Sequence, residues 1–316
     1  MKGVFSNRST GFQLGVLTYL FLFGLIAGSV ITFVVDNSLS GMMTTDPAGG
    51  NTRNPSFYRI HAVQFISSLF IFLLPAIGVA YLCGHSPGKF LHFRRISDLR
   101  IFLLTALMVV LISPTIDITS YLNQKIQLPE WMSPAEEWMR ETEENITRLT
   151  DNLLSEKGIL PFIINLFIIA VMAGLTEEIL FRGALLSMIR KKTANPHLAI
   201  WIVAIIFSAI HFQFYGFIPR ILLGIFLGYL LYWTDSIWAP IFAHFLNNAM
   251  IVAGSYLKFF PQPDHSLTSG GIPEMETKEM ITTIAIAIAG LLLFAICVKM
   301  MIRIARPKQS EIKRRT

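Results

Sequence analysis

At 316 residues the chain is long enough for two soluble domains, but 53% of it is hydrophobic and only 15% charged, which is too apolar for that arrangement. Its two cysteines, Cys83 and Cys297, stand at the ends of apolar runs and exclude a disulfide framework or a CxxC metal site. The net charge of +6 does not point to nucleic acid, because the basic residues fall beside apolar runs, as membrane flanks do.

Uncharged runs over residues 11–35, 62–83 and 280–298 reach or approach the ~20 residues a helix needs to cross about 30 Å of hydrocarbon. Lys2 and Arg8 precede the first run, as in a signal peptide. That run exceeds the usual apolar region of about 7–15 residues, and further spans follow, so it reads as a membrane helix. In chain order, spans are predicted at residues 14–35, 63–82, 101–116, 159–188, 198–214, 217–233, 237–257 and 280–301, the third, fifth and sixth being short. The fold class is therefore all-α integral membrane protein with about eight transmembrane helices. Residues 37–54, rich in Gly, Ser, Thr and Asn, read as irregular chain.

Charge asymmetry orients these spans. Lys89, Arg94, Arg95 and Arg100 follow the second span; Arg190, Lys191 and Lys192 follow the fourth; Arg303, Arg306, Lys308, Lys313, Arg314 and Arg315 form a basic tail. The positive-inside rule makes all three cytoplasmic, with both termini, in what reads as a bacterial plasma (inner) membrane. The loop after the third span is instead acid-rich and belongs on the opposite side. Within it Ser133-Pro134-Ala135-Glu136 has the form of a capping box, and Met139, Ile146, Leu149 and Leu153 follow at helical spacing. An amphipathic helix is predicted there, lying on the membrane, covering a cavity or packed on other loops. The chain divides into a three-span region with this helix (1–157), a four-span core (158–260), and a last span with its basic tail (261–316).

Ionisable groups inside spans cost ~2.5–3.5 kcal/mol each and are functional candidates by default. Span four carries Glu177, Glu178 and Arg182; span five carries His211; span seven carries His244, Asn247 and Asn248. Asp117 and Arg220 read as interfacial. Glu178 and Arg182 are four apart and can pair on one helix face, as a helix-orienting ion pair. Glu177 points roughly 100° away and lacks that partner, so it must be protonated, watered or bound to something. His244 and Asn248, again four apart, project toward one neighbour. Counted from the cytoplasmic link, Glu177 and His211 both fall roughly 20 Å into the membrane, and His244 and Asn248 about 12 and 18 Å. A carboxylate, two imidazoles and an amide at one level can hold a water and stabilise an oxyanion.

These residues resemble the CPBP family, which groups prenyl-protein (CAAX) endopeptidases with bacterial intramembrane proteases and bacteriocin-processing or immunity proteins. Glu177-Glu178 with Arg182 matches the family's EExxxR, Phe207 with His211 its FxxxH, and His244 with Asn248 its HxxxN. The three fall in order on separate predicted spans, and the resemblance covers about residues 159–257. It implies an eight-helix bundle with a cavity opening into the membrane, and hydrolysis of a peptide bond in a membrane-associated or lipidated substrate without a covalent intermediate. Glu177 would be the general base, His211 would help hold the water, His244 and Asn248 would stabilise the oxyanion, and Glu178 with Arg182 would support the helix. The family is often labelled metalloprotease, and Glu177, His211 and His244 could in principle ligate a divalent metal such as Zn. No HExxH occurs, and a glutamate-activated water needs no metal. The partners implied are membrane lipids and a peptide or protein substrate. Two readings compete: a non-catalytic immunity or scaffold protein that binds a peptide, and an ion-coupled transporter, for which no inverted repeat is evident.

Overall fold

The computed structural model describes residues 2–43, 55–257 and 276–315, and every regular element in them is helical. In hydrocarbon a spanning segment must satisfy its own backbone, and in a single apolar run only a helix does so. The helices are α1 (Thr10–Met43), α2 (55–83), α3 (Leu99–Gln124), α4 (Ser133–Leu153), α5 (Ile159–Thr193), α6 (Pro196–Ala209), α7 (Phe217–Thr234), α8 (Trp238–Leu257) and α9 (Thr277–Arg315).

Each of the eight predicted spans finds a helix. Six helical segments among the described residues are long and apolar enough to cross a membrane. The remaining two are α6, which at 14 residues is short, and α8, whose 20 residues include the polar His244, Asn247 and Asn248. The six spans bury only 17–39% of their apolar windows inside the protein, and residues such as Phe23, Ile26 and Phe33 of α1 and Ile288, Leu292 and Ile296 of α9 face outward. Apolar surface on that scale is covered by lipid, so the chain is a multi-pass membrane protein.

Three boundaries differ from those read in the sequence. Residues 37–43 continue α1 rather than forming loop, and 44–54 lie outside the described residues. α9 runs on through the basic tail to Arg315. The capping box is not formed: a 3-10 turn at Glu130–Met132 leads straight into α4, so Ser133 is already helical and caps nothing. Glu136 instead accepts from the Leu128 N–H at 3.0 Å and from Arg140 at 2.7 Å.

The buried apolar residues form two clusters. One joins α1, α2, α5 and α6 through residues such as Val79, Phe181, Ile200 and Phe207; the other joins α3, α7, α8 and α9 through Met108, Leu227, Ala243 and Met301. Polar ties fasten both ends of the bundle. At the acidic end His61 of α2 meets the Asn165 Oδ1 at 2.5 Å, Asn165 donates to the Tyr256 hydroxyl at 2.9 Å, and that hydroxyl donates to the Glu156 carbonyl at 2.7 Å.

At the basic end His92 and Asp235 both sit in left-handed backbone conformations, φ 56° and 50°. His92 Nδ1 donates to the Asp235 carboxylate at 2.8 Å, which leaves Nε2 to accept from the Ser187 hydroxyl at 3.0 Å, and Arg94 reaches the other carboxylate oxygen at 2.5 Å. Burial raises the Asp235 carboxyl, but the His92 hydrogen bond and the charges of Arg94 and Arg190 outweigh it and hold the group below the ordinary 3.8. A carboxylate depressed in the folded state stabilises above its unfolded pKa, and that contribution is lost as pH falls through the folded value. Asp235→Asn is therefore expected to cost about 1–2 kcal/mol at neutral pH, the site being partly exposed, and to flatten the decline of melting temperature below pH 4. Thermal unfolding in nonionic detergent checks both; an unchanged slope would show that the clasp contributes nothing.

Candidate active site

The seam between the two clusters holds the polar residues singled out in the sequence. α5 is interrupted there by two π-helical stretches, Leu166–Met172 and Ile179–Leu185, flanking the short segment Ala173–Glu178 that carries both glutamates. Such stretches shift the backbone ladder off its regular register and occur often at functional sites. At Gly174 the backbone of α8 passes so close that a Cβ would lie 3.1 Å from the Phe245 nitrogen. That approach brings His244 against Glu178.

Glu178 and Arg182 are both completely buried and pair at 2.7 Å, as their spacing places them. The same oxygen, Oε1, accepts from His244 Nδ1 at 2.8 Å. Arg182 also donates to the carbonyl of Gly224 at 3.2 Å and lies over the Phe207 ring, 4.4 Å from its centroid. Phe207 is thus more than a motif position. Its ring touches His211 (4.9 Å) and His244 (6.0 Å) as well, so one aromatic side chain spaces the guanidinium from both imidazoles.

Glu177 faces elsewhere, toward His211. Its Oε2 lies 3.8 Å from His211 Nε2, is buried, and has no hydrogen-bond partner. The other ring nitrogen, Nδ1, meets the Phe207 carbonyl at 2.6 Å. A carbonyl can only accept, so Nδ1 carries the hydrogen and the neutral ring turns a lone pair toward Glu177. An ionised carboxylate and a lone pair at this distance have no donor between them. A water placed between them would find an acceptor on each side for its two hydrogens.

Three placements depart from the sequence reading. His211 is not deep in a helix: α6 ends at Ala209, and the chain reverses through Phe212 at φ 52°, so His211 rides the turn at the tip of the α6–α7 hairpin. His244 and Asn248 do not share a partner, because Asn248 donates to the Ile169 carbonyl at 2.9 Å, in the first π-helical stretch of α5. Arg220, read as interfacial, is partly covered by protein: it donates to Gln213 Oε1 at 2.5 Å and lies within electrostatic reach of Glu177. Its membership of the site was illegible because it sits in the first turn of α7, where a basic residue ordinarily meets headgroups.

Among the described residues no three His, Cys, Asp or Glu side chains gather as metal ligands do. The set of Glu177, His211 and His244 is not assembled, since His244 is turned to Glu178 through Nδ1 and only Glu177 and His211 face one another. The donor set as arranged does not fit a three-ligand metal site.

Residues 159–250 match the family model described as type II CAAX prenyl endopeptidase Rce1-like, a stretch that contains all three motifs. The uncharacterized protein YpbD of Bacillus subtilis (strain 168) is 32% identical over 106 residues, which cover 32% of this chain and 49% of that protein. The chain thus spans about half the length of that relative. No solved structure matches.

Proposed function

We propose, from a chain whose residues 159–250 match the Rce1-like type II CAAX prenyl endopeptidase model and carry the CPBP motifs, an intramembrane endopeptidase that hydrolyses a membrane-associated or lipidated peptide with a glutamate-activated water. The observation that carries this reading is the Glu177 Oε2, buried, without a hydrogen-bond partner, and 3.8 Å from a ring nitrogen held in the accepting state.

In this reading a water bridges Glu177 and His211. Glu177 takes one proton as the oxygen attacks the scissile carbonyl, and later delivers it to the departing amine. The oxyanion is met by the Asn248 amide hydrogen not engaged with Ile169 and by His244 as an imidazolium, its Nδ1–H held by Glu178 and its Nε2–H turned to the oxygen. Glu178 and Arg182 act by position, aiming His244 and holding α5 against α7. The basic segments, including the clasp at Arg94 and the end of α5, lie on the cytoplasmic side, with both termini, in a bacterial plasma membrane.

The test is mass-spectrometric product analysis of the purified protein in liposomes with membrane-anchored peptides, against Glu177→Gln. Peptide-bond cleavage by the wild type alone supports the reading; peptide binding without cleavage by either would replace it with a scaffold or immunity role. Activity surviving 1,10-phenanthroline would assign the water to Glu177 and His211 alone, whereas loss restored by Zn would add a metal.

A further inference from the structure

α4 and the turn between α6 and α7 enclose polar groups for which the hydrolysis above has no use. Glu143 of α4 leans onto that turn: its Oε2 accepts from the Tyr215 N–H at 3.3 Å and its Oε1 from Gln213 Nε2 at 3.4 Å. Gln213 in turn takes a hydrogen bond from Arg220 Nη2. The second terminal nitrogen of Arg220, Nη1, is buried with no partner, and so is the Tyr215 hydroxyl. The guanidinium has Glu143 on one side and Glu177 on the other, both within electrostatic reach. Gly216 packs beside it, a Cβ there lying at van der Waals contact, 3.5 Å, from both terminal nitrogens.

A backbone N–H and a side-chain amide donating to one carboxylate, with a guanidinium bonded to that same amide within electrostatic reach, form a carboxylate cradle. Glu143 occupies it poorly. Both of its hydrogen bonds are long beside the usual ~2.9–3.0 Å, and the short bond of Arg220 goes to Gln213 instead. Burial, only partly offset by the Tyr215 N–H and Arg220, pushes the Glu143 carboxyl above its ordinary range, so the carboxylate is held at a cost. The helix that carries it has no fully buried residue of its own and meets the turn through exposed contacts, Trp138 on Phe214 at 5.1 Å and Arg140 over Tyr215 at 5.3 Å.

We propose that this cradle is a carboxylate subsite for the substrate, with Glu143 as an internal stand-in: a substrate carboxylate displaces Glu143, takes the Tyr215 N–H and Gln213, and pairs with the free Nη1 of Arg220. α4, released from the turn, then moves aside. The inference rests on the reading that the adjoining Glu177–His211 site receives a peptide, and the carboxylate can come from a chain terminus or from an Asp or Glu side chain.

Binding to the full chain carrying Glu177→Gln, in dodecyl maltoside, separates this proposal from hydrolysis. The probes are N-dodecanoylglycine, its carboxamide, and the α-amide of N-dodecanoylaspartate, read by Trp138 fluorescence with Trp138→Phe as background. At least one acid is expected to bind ten times more tightly than the carboxamide, and the tighter acid identifies the source. Glu143→Gln is expected to tighten the acid about tenfold. Arg220→Gln should abolish the preference for acid, and Arg220→Lys should restore part of it, which a collapsed fold would not do. Equal affinity for acids and carboxamide, or no gain in Glu143→Gln, overturns the subsite and leaves the hydrolytic reading standing; an acid preference in a protein whose wild type cuts nothing would do the reverse.

Discussion

Glu177→Gln is expected to lower peptide hydrolysis by about 10²–10⁴-fold, the usual contribution of a positioned general base. The fold should survive unchanged. Gln has the same size and can still accept a hydrogen bond, and the Glu177 Oε2 makes none that the substitution would break. What is lost, on the proposed mechanism, is the group that takes a proton from the attacking water. Cleavage rates in liposomes measure the first expectation and melting temperature in detergent the second. A variant that turns over at the wild-type rate would remove Glu177 from the mechanism, whatever the rest of the site does.

Glu178→Ala should fail in a different way. It leaves the Arg182 guanidinium, completely buried, with the Gly224 carbonyl and the Phe207 and Phe181 rings but no paired carboxylate, and uncompensated buried charge of this kind costs about 3–5 kcal/mol. Loss of folded protein at expression and a markedly lower melting temperature are the expected results. Replacing both partners, Glu178→Leu with Arg182→Met, removes the charge along with its counter-charge and should recover most of that stability. It should not recover hydrolysis, because His244 Nδ1 has then lost its acceptor. If the double variant regained activity with its stability, the pair would be purely structural and His244 would need no orientation.

The two glutamates show how far sequence reasoning reaches. Adjacent residues on a helix point about 100° apart, so Glu178 and Glu177 had to face different neighbours, and the i, i+4 spacing named Arg182 as the partner of the first. Depth counting from the basic link placed Glu177 and His211 at one level, and they lie 3.8 Å apart. The assignment of His244 to Glu178 rather than Glu177 was not legible, because it depends on the rotation of α8 where Gly174 lets the backbones touch. Nor was the use of Asn248 as a clamp on Ile169, since the π-helical register of α5 leaves no mark in composition or periodicity.

By itself the sequence determined the class of molecule, the approximate number of helices, the polarity of their ends and the side chains that pay to be inside the membrane. Those properties follow from transfer free energies and helical periodicity, which act residue by residue. The tertiary structure decided which imidazole meets which carboxylate, that α6 stops short so His211 rides a turn, and that Gln213 links Arg220 to Glu143 at the α6–α7 tip. Those outcomes depend on helix rotation, axial shift and close approach, set by packing among segments distant in the chain, and no local pattern encodes them.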